Sequence, residues 1–126
     1  MNSSVDELFE KLSWSNPEDI QKQGICEARK IRHLSVFLQP LESKSVWENC
    51  AKVLIEKDDN QLERYLIPLF EWLQDMNWPG ASLISERLSK MPKDILRFAY
   101  EVSYEKAVQT KDDCWKHNLL VFWNEC

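Results

Sequence analysis

Apolar residues recur along this chain at three- and four-residue intervals, and no segment alternates with a period of two. That spacing lines up one face of an α-helix, so the pattern predicts helices throughout. Val5, Leu8, Phe9 and Leu12 form the first stripe, and Ser4-Val5-Asp6-Glu7 has the form of a capping box opening it. Asn16-Pro17 predicts a second start, with a cap residue and then proline at the first helical position, where its missing N–H costs nothing. Ile20, Gly24, Ala28 and Ile31 follow at helical spacing, with Glu18 and Asp19 at the end of the dipole that favours negative charge. Val36-Phe37-Leu38 before Pro40 predicts a connector, extended or a single turn, tucked into the core.

Ser43 is placed to cap a third helix carrying Val46, Trp47, Cys50, Val53 and Leu54. Lys57-Asp58-Asp59-Asn60 breaks that helix and supplies the next cap. Leu62, Leu66, Leu69, Leu73 and Met76 then hold one phase, with Pro68 inside the stripe. Proline removes one backbone hydrogen bond, so a kink or brief break is expected there rather than a loop. A fifth helix turns Ala81, Ile84, Leu88 and Met91 inward. Pro92 starts a sixth with Ile95, Phe98, Ala99 and Val102 on its buried side. Lys111-Asp112-Asp113 caps a last helix holding Trp115, Leu119, Leu120, Phe122 and Trp123.

The pattern is all-α, with about seven helices. Three junctions look alike: "SNPEDIQ", "DMNWPGASLI" and "TKDDCWKHNLL". The last two lie about 35 residues apart, a period typical of helix-pair repeats. The pairs would be 60–91 and 92–126, with the N-terminal helices forming an earlier, less regular pair. One helical hairpin cannot bury its apolar face alone, so stacked hairpins are expected. The expected architecture is a short HEAT-like α-solenoid, one domain over residues 1–126, with a compact irregular bundle as the alternative.

Composition narrows the function. No apolar run approaches the roughly 20 residues of a membrane span, and "MNSSVDELFEK" lacks the basic and apolar regions of a secretory signal. A cytoplasmic protein is expected, with reduced thiols at Cys26, Cys50, Cys114 and Cys126 and no membrane partner. A formal net charge of -5 argues against nucleic acid, whose phosphates require a basic surface, and suits a basic protein partner. Apart from Arg29-Lys30-Ile31-Arg32, basic residues interleaved with aromatics are missing.

The residues available for chemistry are few. Cys114 and His117 share a helical face, and Cys126 or Cys26 would have to complete a metal site that normally needs four ligands in paired spacings. Cys50 recurs with Val46 and Val53 and reads as core; Cys26 falls on the polar side of its helix. His33 and His117 lie in no active-site motif, and two glycines leave little material for a phosphate-cradling loop. Asp58-Asp59 and Asp112-Asp113 fit helix starts. The expectation is a chain with no catalytic residues, no metal and no cofactor. Of six tryptophans, Trp47, Trp72 and Trp123 share stripes with aliphatic residues, while Trp14 and Trp78 sit at junctions, packed under the corners or partly exposed as anchors.

"FEWLQDMNWPGA", residues 70 to 81, reads mainly as the corner between two helices, with Asn77 capping the second and Trp72 and Trp78 packed around it. "EWLQDMNWPGA", with "SVWENCAKVL" upstream and "ERLSKM" downstream, resembles a bacterial family of small helical domains of unassigned function whose hallmark is E-W-L-Q-D-x-N-W-P. The resemblance spans roughly residues 18 to 126 and is strongest from 43 to 91. It implies a HEAT-like fold and an association with polymorphic-toxin systems, in which such proteins serve as immunity proteins. On that reading the chain neutralises a basic toxin domain by direct association. The expected surface is the turn edge carrying Glu71, Asp75, Glu86, Asp112 and Asp113, with Trp78 as anchor. A housekeeping adaptor of helical-repeat type is the alternative, and an enzyme a distant third.

Overall fold

The computed structural model describes residues 3–40 and 44–125. Among them the chain is helical, with no strand. The helices are α1 (Ser3–Leu12), α2 (Glu18–Ala28), α3 (Trp47–Leu54), α4 (Asp59–Leu62), α5 (Leu66–Glu71), α6 (Ala81–Ser89), α7 (Lys93–Gln109) and α8 (Asp113–Glu125). Single 3-10 turns occur at Leu34–Phe37, Lys44–Val46, Glu63–Tyr65 and Trp72–Gln74. If residues 59–74 are taken as one interrupted helix, the described helices number seven.

The interruption follows from Pro68. Its ring has no N–H for the Arg64 carbonyl and crowds it, so the backbone tightens into a 3-10 turn at Glu63–Tyr65 before α5 resumes. Phase survives the break: Leu62, Leu66, Leu69 and Leu73 are all buried. Asp58 caps α4 through a full capping box, its Oδ1 accepting the Gln61 N–H at 2.9 Å while Gln61 Oε1 accepts the Asp58 N–H at 3.2 Å.

Hairpins stack in order. α1 packs on α2, α2 on α3, α3 on α6, and α6 and the Trp72–Gln74 turn on α8; α7 packs against both α5 and α8. One continuous core runs through all of them, from Leu8 and Leu12 to Leu119 and Phe122. The connector at Leu34–Phe37 is a single turn whose Leu34 and Phe37 are buried in that core. The first hairpin is tied in by polar contacts as well. Buried Asn49 on α3 donates to the Leu12 carbonyl at 2.7 Å, capping the end of α1, and to Gln21 Oε1 at 2.9 Å.

Several local expectations change. Ser4 lies within α1, which begins at Ser3, and Ser43 lies outside the described residues. At the second junction Pro17 holds the cap position while the Asn16 amide turns back to the Glu10 carbonyl. α2 ends at Ala28, so Ile31 packs from the following turn. Of the two placements open for Trp14, the structure has the exposed one, at 55%.

The largest change is the phase of α7. Its buried residues are Leu96, Ala99, Tyr100, Ser103 and Ala107, and Phe98 is 72% exposed. Tyr100 takes the inward position because its ring meets aromatic neighbours on two helices. It stacks on Trp123 with centroids 4.4 Å apart and meets Phe70 edge-on at 5.8 Å. Its hydroxyl donates to the Leu119 carbonyl at 3.0 Å, so burial leaves that polar group paired. Leu120 on α8 likewise faces outward.

Candidate functional site

The Pro-Gly corner is a joint built from residues far apart in sequence. Trp47 of α3 meets Trp72 and Trp78 edge-to-face, with ring centroids at 6.1 and 5.5 Å. The Trp72 indole N–H donates to the Pro79 carbonyl at 2.9 Å. Lys44 sets its ammonium over both Trp47 and Trp78, at 5.7 and 5.6 Å. Gly80 occupies the left-handed region at φ +86 and is itself the cap of α6. Its N–H donates to Glu48 Oε1 at 2.8 Å, which locks the corner to α3. Asn77, expected as the cap, instead donates its N–H to Asp75 Oδ1 at 2.8 Å in a tight turn before the corner.

Trp78 and Asp75 are therefore occupied in the joint. Trp78 is half-buried against Trp47, and one Asp75 oxygen serves its own turn. Glu86 is exposed on α6. The other three acidic candidates converge elsewhere. Glu71 at the end of α5, and Asp112 and Asp113 at the start of α8, line a groove of about 620 Å³ with Gln74, Lys106 and Lys111.

This groove sits where α7 turns into α8. The Lys111 N–H donates to the Val108 carbonyl at 3.1 Å and the Asp112 N–H to the Ala107 carbonyl at 2.9 Å, closing α7 in a Schellman motif. The motif requires a left-handed residue, and Lys111 fills it at φ +58 where glycine is usual. Asp112 Oδ1 then accepts the Trp115 N–H at 3.0 Å and caps α8. The Trp115 indole donates to the Phe70 carbonyl at 3.1 Å, fixing this turn to the end of α5. Glu71 pairs with Lys106 at 3.4 Å. The groove therefore mixes both signs of charge, where the sequence suggested a uniformly acidic edge.

Exposed apolar residues lie on α5 and α7, two helices that contribute residues to the groove. Phe98, Val102 and Lys106 recur at four-residue steps along one face of α7, as do Ile67 and Glu71 on α5. The Lys106–Glu71 pair joins these two faces, so Phe98, 72% exposed, and Ile67, 36% exposed, lie on helix faces that meet at it. Sequence reasoning missed Phe98, Lys106 and Lys111 as surface residues. The run from Tyr100 to Tyr104 carried the signal, since two tyrosines at that spacing offer α7 an alternative inward face.

The thiol and imidazole candidates do not assemble. Cys114 and His117 are exposed on α8, Cys26 is exposed on α2, and Cys126 lies outside the described residues. Among the described residues no group of three His, Cys, Asp or Glu side chains is arranged to hold a metal ion. Cys50 is in the core, and burial pushes its thiol up to about 12, far from a reactive thiolate. Among those residues, no helix is long and apolar enough to cross a membrane.

Comparison with known sequences adds one finding. The family described as Domain of unknown function (DUF5071) matches residues 46–126, a span that holds the tryptophan corner, the groove and Phe98. No curated protein and no solved structure matches the chain.

Proposed function

The chain belongs to the DUF5071 family, and from that premise we propose that it is a non-catalytic binding protein, an immunity protein that neutralises a toxin domain by direct association. The observation carrying the binding reading is the ring of Phe98, open to solvent in the middle of the longest helix, on the face that leads to the Glu71–Asp112–Asp113 groove. A well-packed helix has no stability reason to leave such a ring in water. Covering it in a complex would contribute about 1.5–3 kcal/mol, the scale of an interface anchor.

The immunity reading adds the resemblance of the 71–81 string and the net charge of -5, which suits a basic partner. Glu71 and Asp113 would steer that partner in, and Phe98 and Ile67 would slow its release. Trp78 and Asp75 hold the corner behind this surface rather than contacting the partner. The chain supplies the surface and no chemistry, and its place of action is the cytoplasm of a bacterium.

The test uses the tagged chain as bait in its own organism, beside two variants, Phe98→Asp and Glu71→Lys/Asp113→Lys. The expected result is a stoichiometric complex with the C-terminal fragment of a large secreted protein, weakened by both variants, together with loss of protection when that fragment is expressed. Capture of a cytoplasmic housekeeping protein through the same residues would make the chain an adaptor. A toxin complex indifferent to both variants would place the binding surface elsewhere.

A further inference from the structure

A second groove, of about 270 Å³, lies between the loop after α2 and the start of α4. Arg32, Arg64, Asn60, Tyr65 and the capping residue Asp58 line it. The arginines set this groove apart. Arg29 forms a two-pronged ion pair with Glu56, at 2.8 and 2.9 Å. Arg87 binds Asp59 and the Ile55 and Lys57 carbonyls, closing the end of α3. Arg97 lies over the Trp123 ring at 5.7 Å. Arg32 and Arg64 are both exposed, share this one groove, and have no ion-pair partner among the described residues. Two guanidinium groups without an ion-pair partner in one groove place two positive charges where an anion can be held.

We infer that the Arg32–Arg64 groove binds the phosphoryl group of a phosphomonoester. Arg32, Arg64, Tyr65 and Asn60 line the groove, and their guanidinium, hydroxyl and amide groups carry more donors than the two coplanar oxygens of a carboxylate can use. A phosphoryl group offers three acceptor oxygens and close to two negative charges, matching two guanidinium groups. The only carboxylate lining the groove is Asp58, and one of its oxygens already accepts the Gln61 N–H. The volume lies below the roughly 300 Å³ at which pockets begin to hold drug-sized ligands, so it admits a phosphoryl group and a few atoms of its carrier. A phosphorylated side chain and a small phosphate ester share this chemistry. The inference rests on residues separate from the Phe98 surface, and each stands or falls alone.

The full chain is titrated by amide NMR with sodium phosphate, O-phosphoserine tripeptide, glycerol 3-phosphate and sodium acetate, at constant ionic strength and a pH where the phosphoryl group is dianionic. Saturable shifts at residues 32 and 60–65 are expected with phosphate. Tighter binding of the phosphopeptide or of glycerol phosphate identifies the carrier. Arg32→Gln and Arg64→Gln should each weaken binding at least about tenfold, the loss of one charge-assisted contact. Arg64→Lys should recover only part, because lysine keeps the charge without the fork. Both side chains are exposed, and an unchanged amide spectrum elsewhere shows that the variants fold. Acetate binding as tightly as phosphate, shifts that track ionic strength alone, or Arg→Gln variants that bind normally would overturn the assignment.

Discussion

Gly80 allows the corner to be tested quantitatively. An alanine there must adopt φ +86, a left-handed conformation that costs an L-residue about 1–2 kcal/mol. Its Cβ would also stand 2.7 Å from Ala51 Cβ, 3.0 Å from the Trp47 carbonyl oxygen and 3.1 Å from Trp72 Cζ2. Neither backbone nor a fully buried indole yields easily, and overpacking of this kind adds about 1–3 kcal/mol. The expected loss for Gly80→Ala is therefore about 3 kcal/mol, close to 10 °C in Tm for a domain of this size. Urea unfolding followed by helical circular dichroism should show a lower midpoint at unchanged slope. Two further variants separate the causes. Gly80→Asn tolerates the left-handed backbone but still clashes, so it should remain destabilised. Gly80→Ala combined with Ala51→Gly removes the closest contact, and a double-mutant cycle should give at least about 1 kcal/mol of favourable coupling. A loss below about 1 kcal/mol for Gly80→Ala, or a cycle with no coupling, would refute the account of the corner as a close-packed joint.

Asn49→Ala leaves the Leu12 carbonyl without its partner in a buried setting, a loss of about 1–3 kcal/mol; hydrogen exchange should show α1 and α2 losing protection first. Lys111→Gly relieves a left-handed lysine at the end of α7 and should stabilise the chain by up to about 1 kcal/mol in thermal unfolding. Glu56 titrates below its ordinary value, chiefly through its hydrogen bond with Arg29. A depressed carboxylate contributes stability at neutral pH that disappears as pH falls through its folded-state value, so Arg29→Ala should flatten the acid limb of stability against pH. The pair is well exposed, so solvent screening keeps the effect small at neutral pH.

What could be read from the sequence is what neighbours along the chain decide. Helices follow from apolar spacing, the Asp58 and Asp112 caps from side chains placed to accept N–H groups three residues on, and the break before Pro68 from a missing donor. Each depends on atoms within one turn of backbone, so no knowledge of the fold is needed. The placing of Glu71, Asp112 and Asp113 at helix ends could also be read locally, because helix ends collect charge. The tertiary structure decided which faces are buried. Tyr100 rather than Phe98 points inward because Phe70 and Trp123, on other helices, offer its ring more contact and Leu119 offers its hydroxyl a partner. The groove exists because Trp115 reaches the Phe70 carbonyl 45 residues away, drawing the start of α8 to the end of α5 and Lys106 to Glu71. Burial is a competition among all faces of the chain at once, and its outcome depends on packing between helices that no local pattern encodes.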